Sequence, residues 1–521
     1  MVTPGDKLEL NKDWDLPEIL DPNTPIIERL KRAKPIEAIR SKTEVIDEPK
    51  PVNEPKPKIE ILDHDKILEL LLSNVKKVDF QSTIYPTANR ENPKISNNKY
   101  QIVIVNEILD LAKKNNHSIC QNHQSIFLYN GAYWKKYSNE DFSNFLGLVA
   151  IKMGVDKYTA EGYLFKEQLL KQFHASAYLQ EPRVDRNKVL INLIGGTFEI
   201  EGGVTKTREH RAEDFLTYQL PFAYDRYSTS IKFQAYLDKV LPDKERQRVI
   251  AEYLGYIFIK HGSNILKAEK VLVLYGSGAN GKSVLYEIVR ALFGGHNVSS
   301  FSLESLTDVN GYYRAQIDTK LLNYASEISN KMDTTRFKAM ISGEPIEARH
   351  PSGRAMQLEQ YAKMIFNCNE LPKDTEQTHA FFRRFLIVPF NVIIPEAEQN
   401  RNLHNEIIES ELSGVFTWVL QGLSRLLSQK GFSECKASNV ALDKYKTETD
   451  NVKLWIDTDN YSKNDDLLTT LKEGYYQYSI FCSEGGFNKL NKMNFQKRLE
   501  RLGYKVARGN QNMVYININN R

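Results

Sequence analysis

Gly276-Ser277-Gly278-Ala279-Asn280-Gly281-Lys282-Ser283 is the stretch on which the reading of this chain turns. It fits G-x-x-x-x-G-K-[ST], a loop that wraps the phosphates of a nucleoside triphosphate. Glycines let backbone N–H groups close on phosphate oxygens with no Cβ in the way. Lys282 is expected to place a point charge on the β- and γ-phosphates of ATP, and Ser283 a hydroxyl on Mg²⁺. The flanks agree. Val271-Leu272-Val273-Leu274-Tyr275 is a short apolar run that predicts a buried parallel strand. After the loop, Val284, Leu285, Ile288, Val289 and Leu292 recur at helical spacing, and Gly294-Gly295 ends the pattern. Strand, loop and helix in that order put a triphosphate at a helix N-terminus.

Three further strands are expected downstream. Leu321 to Ala325 ends in Ser326-Glu327, and a carboxylate at Glu327 suits polarising a water and holding Mg²⁺. Met364 to Asn369 is followed by Glu370-Leu371-Pro372. An amide there can orient the attacking water; Asn369 fits best, with Asn367 two residues earlier. Phe385 to Phe390 is entered through Arg383-Arg384, and an arginine at the mouth of an apolar strand suits a finger that reaches a γ-phosphate on a neighbouring subunit. Between these strands a helix through Phe337 to Ile341 stops at Ser342-Gly343. Ile346 to Ala348 and Met356 to Leu358 then flank Arg349-His350-Pro351-Ser352-Gly353-Arg354. That predicts a hairpin with a basic tip, able to grip a phosphate backbone or to stand as a solvated turn.

A chain of 521 residues should hold more than one domain. The net charge of +4 is too small for the whole chain to act as a polycation, so nucleic-acid binding must rest on local patches. No apolar run is long enough to span a membrane and Met1 opens no signal peptide, so no membrane partner and a cytoplasmic location are expected. Cys120, Cys368, Cys435 and Cys482 are scattered, without metal-ligand spacing, and read as reduced core residues.

Four segments follow from composition and periodicity. Residues 1–98 are polar and proline-rich and are expected to be disordered linker; Ile67 to Leu72 is a short helix at best, and Asp63-His64-Asp65 reads as a helix start rather than a metal site. Residues 99–261 are expected to be mainly helical. Ile102 to Leu111 is helical in period, Ile126 to Trp134 two strands about Asn130-Gly131, and Asp141 to His174 a long helical stretch. Strands are expected near Val189 to Ile200 and Asp214 to Pro221, and helix from Gln234 to Phe258. Residues 262–438 hold the α/β triphosphatase core. Residues 439–521 are basic: a helix from Asn494 to Leu502 carries Lys497, Arg498 and Arg501, and a hairpin follows. Helix then hairpin is a winged-helix outline with a DNA-reading helix.

Taken together, the Asn280-Gly281-Lys282-Ser283 ending, the strand into Ser326-Glu327, Asn369-Glu370-Leu371-Pro372 and Arg383-Arg384 resemble the superfamily 3 helicases. The likeness is to the phage- and plasmid-type primase–helicases related to the poxvirus helicase-primase, and it covers roughly residues 100–521. Tyr129-Asn130-Gly131, Asn192 to Gly196 and Leu241-Pro242-Asp243 resemble the domain that precedes the motor in that family. The resemblance implies an AAA+ fold, a hexameric ring, ATP bound between subunits and 3′-to-5′ movement on single-stranded DNA at a fork. It implies that Glu327 activates water, that Asn369 is the sensor, and that Arg384 or Arg383 is the finger. Lys338, Arg349, His350 and Arg354 become the pore-hairpin contacts. Ser326 stands where many members carry a second acid, which leaves Mg²⁺ to Ser283, phosphates and water. The segment before Tyr100 is too short and polar for a primase domain, so no primer synthesis is expected from this chain alone, and a separate primase or polymerase is an expected partner. An origin-binding initiator, whose ATPase mainly drives assembly on DNA, is the alternative.

Overall fold

The structure is a computed structural model that describes residues 62–86, 93–115, 117–122, 125–178, 185–326, 328, 332–351, 353, 355–372, 378–459, 461–463, 469–508 and 514–520. Its centre is a parallel sheet of five strands in the order Phe385–Pro389, Val271–Tyr275, Lys363–Cys368, Leu322–Ala325, Val298–Ser299. The strand expected before the phosphate loop is therefore interior, between the last two strands of the sheet. Its apolar run is explained by burial on both faces. Leu272 and Leu274 enter one core; Val271 and Val273 enter the other, as the two-residue period of a strand requires.

The first core is covered by helices Lys282–Phe293, Lys244–Tyr256 and the long Leu403–Gln429. The last two approach closely because a Cβ at Gly422 would fall 2.3 Å from the Ala251 carbonyl carbon, so nothing larger than glycine fits. This core runs from Val189 to Cys435, so the expected division at 261/262 cuts through one packed unit. The second core joins helix Thr334–Ser342 to Phe381, Phe385 and Tyr445. Tyr445 lies on helix Lys436–Glu448, so the expected division at 438/439 falls inside a helix packed on the sheet.

The expectation of disorder up to residue 98 fails from Leu62 onward. Helices His64–Asn74 and Phe80–Ile84, with Val75 just after the first, bury Ile67, Leu71, Val75 and Phe80 against Asn97–Lys114, Asn139–Met153 and Tyr163–Ser176. A polar average hid one apolar stripe, and Ile67 and Leu71 are four apart on a single face. Asp63 caps the helix by accepting the Asp65 N–H at 2.9 Å, and buried His64 donates from Nε2 to the Tyr133 carbonyl at 3.1 Å. Burial pushes the His64 imidazole down to about 4, which fits a neutral packing residue. The long helical stretch from Asp141 is three helices, Asn139–Met153, Lys157–Glu161 and Tyr163–Ser176. The first ends because Gly154 takes φ +107°.

Asp214 to Pro221 forms no strand. Asp214 ends a 3-10 turn and Phe215 takes φ +44°, after which the irregular chain lends Leu216 O to the Trp134 N–H at 2.8 Å and Leu220 N–H to Asn192 O at 2.9 Å. The hairpin about Asn130-Gly131 forms as expected, and the strands near Val189 to Ile200 are Lys188–Leu193 and Gly196–Glu201, paired antiparallel. All four cysteines are free and buried. The C-terminal part has its own core around Trp455, Tyr478, Phe495 and Leu499. Its order is helix Asn451–Thr458, strands Tyr461–Lys463 and Thr469–Thr470, helices Leu471–Gly485 and Lys492–Arg501, then strands Val506–Arg508, Val514–Ile516 and Ile518–Asn520; Val514–Ile516 is the middle strand of three, and Ile518–Asn520 pairs with Tyr461–Lys463.

Candidate nucleotide site and its surroundings

The loop Gly276–Ser283 leaves its strand at the C-terminal edge of the parallel sheet, where ligands of open α/β sheets sit. Its path needs its glycines. A Cβ at Gly276 would lie 2.4 Å from both Asn280 Nδ2 and Phe390 O, and Gly281 has φ +85°. Ala279 holds φ +49°, a conformation that costs a non-glycine residue energy and marks a constrained loop. The loop is pinned from outside: buried Asn280 donates to Phe390 O at 3.2 Å, and Ile394 N–H donates to Ala279 O at 2.8 Å.

Helix Lys282–Phe293 starts at Gly281 without a side-chain cap, so its first N–H groups and the positive end of its dipole open toward the loop. Lys282 is 7% exposed; its ammonium donates to Gly276 O and lies 3.5 Å from Asn369 Oδ1. Burial lowers its pKa, and no salt bridge to it is present among the described residues. A desolvated cation over a cradle of N–H donors matches an anion with the charge and breadth of a polyphosphate. Ser283 is exposed in the first helical turn. These groups fit the phosphates of ATP, and Ser283 fits a position on Mg²⁺.

Asn369 is exposed at the end of its strand beside Lys282, whereas buried Asn367 accepts the Tyr324 hydroxyl at 3.0 Å. The geometry thus separates two amides that sequence could only rank. Ser326 is exposed after Leu322–Ala325 at this same edge; Glu327 lies outside the described residues.

Arg383 and Arg384 stand at the other edge. Arg384 O accepts the N–H of Val271, the first residue of the loop's strand, at 2.8 Å. Five strand residues, roughly 15 Å, separate that point from the loop. Arg384 is buried and donates to Ser342 Oγ at 2.7 Å and to Ala380 O. Arg383 is half-exposed and pairs with Glu269 at 2.6 Å; Lys267 pairs with the same carboxylate at 3.0 Å. Lys270, which sequence reading missed, donates to Arg383 O. Deeper at this edge Lys363 donates to His261 Nδ1 at 3.0 Å, while His261 Nε2 donates to Tyr361 O at 3.1 Å. Burial brings Lys363 down to about 7. Its signal was faint: one charged residue opening an apolar strand.

The basic hairpin forms as expected, Ile346–Arg349 against Ala355–Leu358. Arg349 and His350 are exposed, Lys338 is half-buried on the preceding helix, and Arg354 lies outside the described residues. Sequence reading missed the support. Buried Arg314 donates from Nε to Glu347 O at 2.7 Å and from Nη1 to Leu306 O at 2.9 Å, and Arg349 donates to the Tyr312 hydroxyl at 3.1 Å. In the C-terminal part Lys497 and Arg501 are exposed, but Arg498 Nε donates to buried Asp450 at 3.0 Å. Its charge is engaged inside the domain. Asp243, Glu245 and Cys435 approach one another, yet Asp243 caps a helix and Glu245 accepts the Lys436 N–H, so the group is accounted for structurally.

Residues 112–242 match the family model described as D5 N terminal like, and residues 274–384 match one described as a family of unknown function, DUF5906. The chain is similar to "Putative helicase L207/L206" of Acanthamoeba polyphaga mimivirus, 26% identical over 264 residues, which is 46% of this chain and 26% of that protein. It thus spans about a quarter of the length of that relative. Among solved structures, the A-form apo structure of the NrS-1 C-terminal region aligns at 12% identity, with 78% of this chain, 98% of that chain and a TM-score of 0.44. A further apo structure of that region aligns at 13%, with 80%, 99% and 0.46.

Proposed function

We propose that the chain is an ATP-driven replicative DNA helicase of the superfamily 3, AAA+ type, working as a ring of copies, hexameric and 3′-to-5′ by resemblance, in the replication of a phage, plasmid or other mobile element. One observation carries the reading: the loop that would hold phosphate and the arginines that would stabilise its transfer sit at opposite edges of one sheet. A single copy cannot bring them together, whereas adjacent copies can. Mg²⁺·ATP supplies the phosphoryl group and its charge neutralisation. Lys282 and the N–H groups after Gly281 hold the phosphates, Ser283 faces the metal, and Asn369 orients water, with Glu327 as the proposed base. Arg384 or Arg383 reaches the γ-phosphate of the next copy. The match of residues 112–242 and the mimivirus relative support a helicase over other triphosphatases. The exposed Arg349 and His350 supply the strand-gripping tip.

The test is strand displacement on a forked duplex by the full chain with ATP. Displacement that Lys282→Ala abolishes is the expected result. DNA-independent hydrolysis with no displacement on any fork, with or without a partner primase, would sink the reading. A second reading, an origin-binding initiator, is favoured by Lys497 and Arg501, exposed and four apart on a helix whose other face buries Phe495 and Leu499. Sequence-selective duplex binding that Lys497→Ala weakens, together with feeble unwinding, would favour it.

A further inference from the structure

The phosphate loop is also gripped by a helix that precedes the sheet. Helix Ile231–Val240 turns Phe233, Tyr236, Leu237 and Val240 into the core beside the loop. A Cβ on Gly281 would fall 2.7 Å from Val240 Cγ1 and 3.2 Å from Tyr236 Cε2, so helix and loop touch at that glycine. The Tyr236 hydroxyl donates to Gly281 O at 2.8 Å. The same carbonyl accepts the Leu285 N–H at 3.2 Å, the first bond of the helix that follows the loop.

A trans peptide is planar, so fixing the Gly281 C=O fixes the Lys282 N–H in the opposite direction. That N–H is one of the first four of its helix and has no acceptor within it. Its aim is therefore held jointly by the helical bond from Leu285 and by the Tyr236 hydroxyl, the shorter of the two. Helix and loop are tied further round as well: Lys239 pairs with Glu398 at 2.9 Å, four residues beyond the Ile394 that holds Ala279.

We propose that Tyr236 is a positioning residue of the nucleotide site, which orients the Lys282 N–H toward a phosphate of a nucleoside di- or triphosphate without touching the ligand itself. This makes the helix Ile231–Val240, which sequence reading placed in a separate domain, a wall of that site. The inference rests on the nucleotide-binding reading above.

The test uses the full chain and Tyr236→Phe, which keeps the ring and removes the hydroxyl, with Lys282→Ala as the loss control. A fluorescent ADP analogue reports binding, steady-state hydrolysis reports KM and kcat, and thermal melting is followed with and without ADP. Tyr236→Phe is expected to weaken ADP and raise KM for ATP by about 3- to 10-fold, with kcat within about twofold. The melting temperature without nucleotide should stay put while the ADP-induced rise shrinks. A lower melting temperature without nucleotide, combined with unchanged affinity, would show a purely structural role and overturn the inference. Unchanged values throughout would do the same. If the unaltered chain bound no nucleotide, this inference and the function reading would fall together. If it bound, and Lys282→Ala abolished binding while Tyr236→Phe bound equally, only this inference would fall.

Discussion

At one edge of the five-stranded sheet the chain leaves Tyr275 into glycines and an uncapped helix, with Lys282 buried over backbone carbonyl and amide oxygens. At the opposite edge it gathers the cations Lys270, Arg383 and Arg384, engaged inside the chain by Arg383 O, Glu269 and Ser342 in turn, and beside them the buried amine of Lys363 meets His261. The first edge has the geometry of an anion cradle, which the proposed function fills with phosphate. The second is a store of positive charge whose partners must be exchanged before it can act on a ligand. A parallel sheet points all its C-terminal ends one way, so loops that bind and strand entries that carry cations are separated by the length of a strand. In a single copy the loop and these arginines do not meet, so under the proposed function the difference between the edges calls for assembly of copies.

The sharpest way to break that comparison is to remove the arginine. Arg384→Ala should leave ATP binding intact and slow hydrolysis by on the order of 10³-fold, as loss of such fingers does. Assemblies doped with this variant should lose more activity than its share of the copies. Strictly proportional loss would mean that each copy is complete, and the two-edge argument would fail. Since Arg384 also ties Ser342 to Ala380, Arg383→Ala is the companion variant; it breaks only the half-exposed pair with Glu269, worth at most about 1 kcal/mol of stability. Hydrolysis lost in Arg383→Ala and kept in Arg384→Ala would move the finger by one residue.

A smaller effect separates the two amides at the cradle edge. Asn369→Ala should lower kcat by about 10²-fold with a KM within a few-fold, the loss expected of one group aligned on the reacting water. Asn367→Ala should leave the surviving protein active but less stable by about 1–3 kcal/mol, because the Tyr324 hydroxyl loses its buried acceptor. Thermal melting beside steady-state hydrolysis reads both. The reverse pattern would put Asn367 at the chemistry.

The strand, loop and helix of the cradle edge were legible in sequence because their geometry is local. Gly276 to Ser283 sits in eight consecutive residues, and the strand and helix on either side announce themselves by period. The other edge was legible only as a pair of arginines, because what holds them comes from residues 269, 342 and 380. The same reason hid Tyr236, forty-five residues before the carbonyl it bonds, and Arg314, which braces the hairpin from outside it. Composition misled at residues 62–86, where polar residues cover a stripe that Ile67, Leu71 and Phe80 bury. The expected boundaries at 261/262 and 438/439 failed because a core is shared by elements distant in sequence, which no change in local composition records.

Lys363 gives the finest test of how the cation-rich edge is held. Its folded pKa, about 7, lies below the ordinary lysine value, because burial disfavours the charged form where the amine meets the His261 imidazole and the face of the Tyr256 ring. In the unfolded chain the amine keeps its proton to about pH 10.4. Between about pH 7 and that value the unfolded state therefore holds more protons, and stability from this residue rises with pH; below about 7 the penalty is present in full. Lys363→Met keeps length and apolarity while removing the titrating group. It should raise the melting temperature by about 2–4 °C near pH 7, and the advantage should shrink as pH climbs toward 10. A variant less stable than the unaltered chain at pH 7, or an advantage independent of pH, would mean that Lys363 is charged and compensated. The N-terminal edge would then be held by an ion pair rather than by a neutral amine donating to His261.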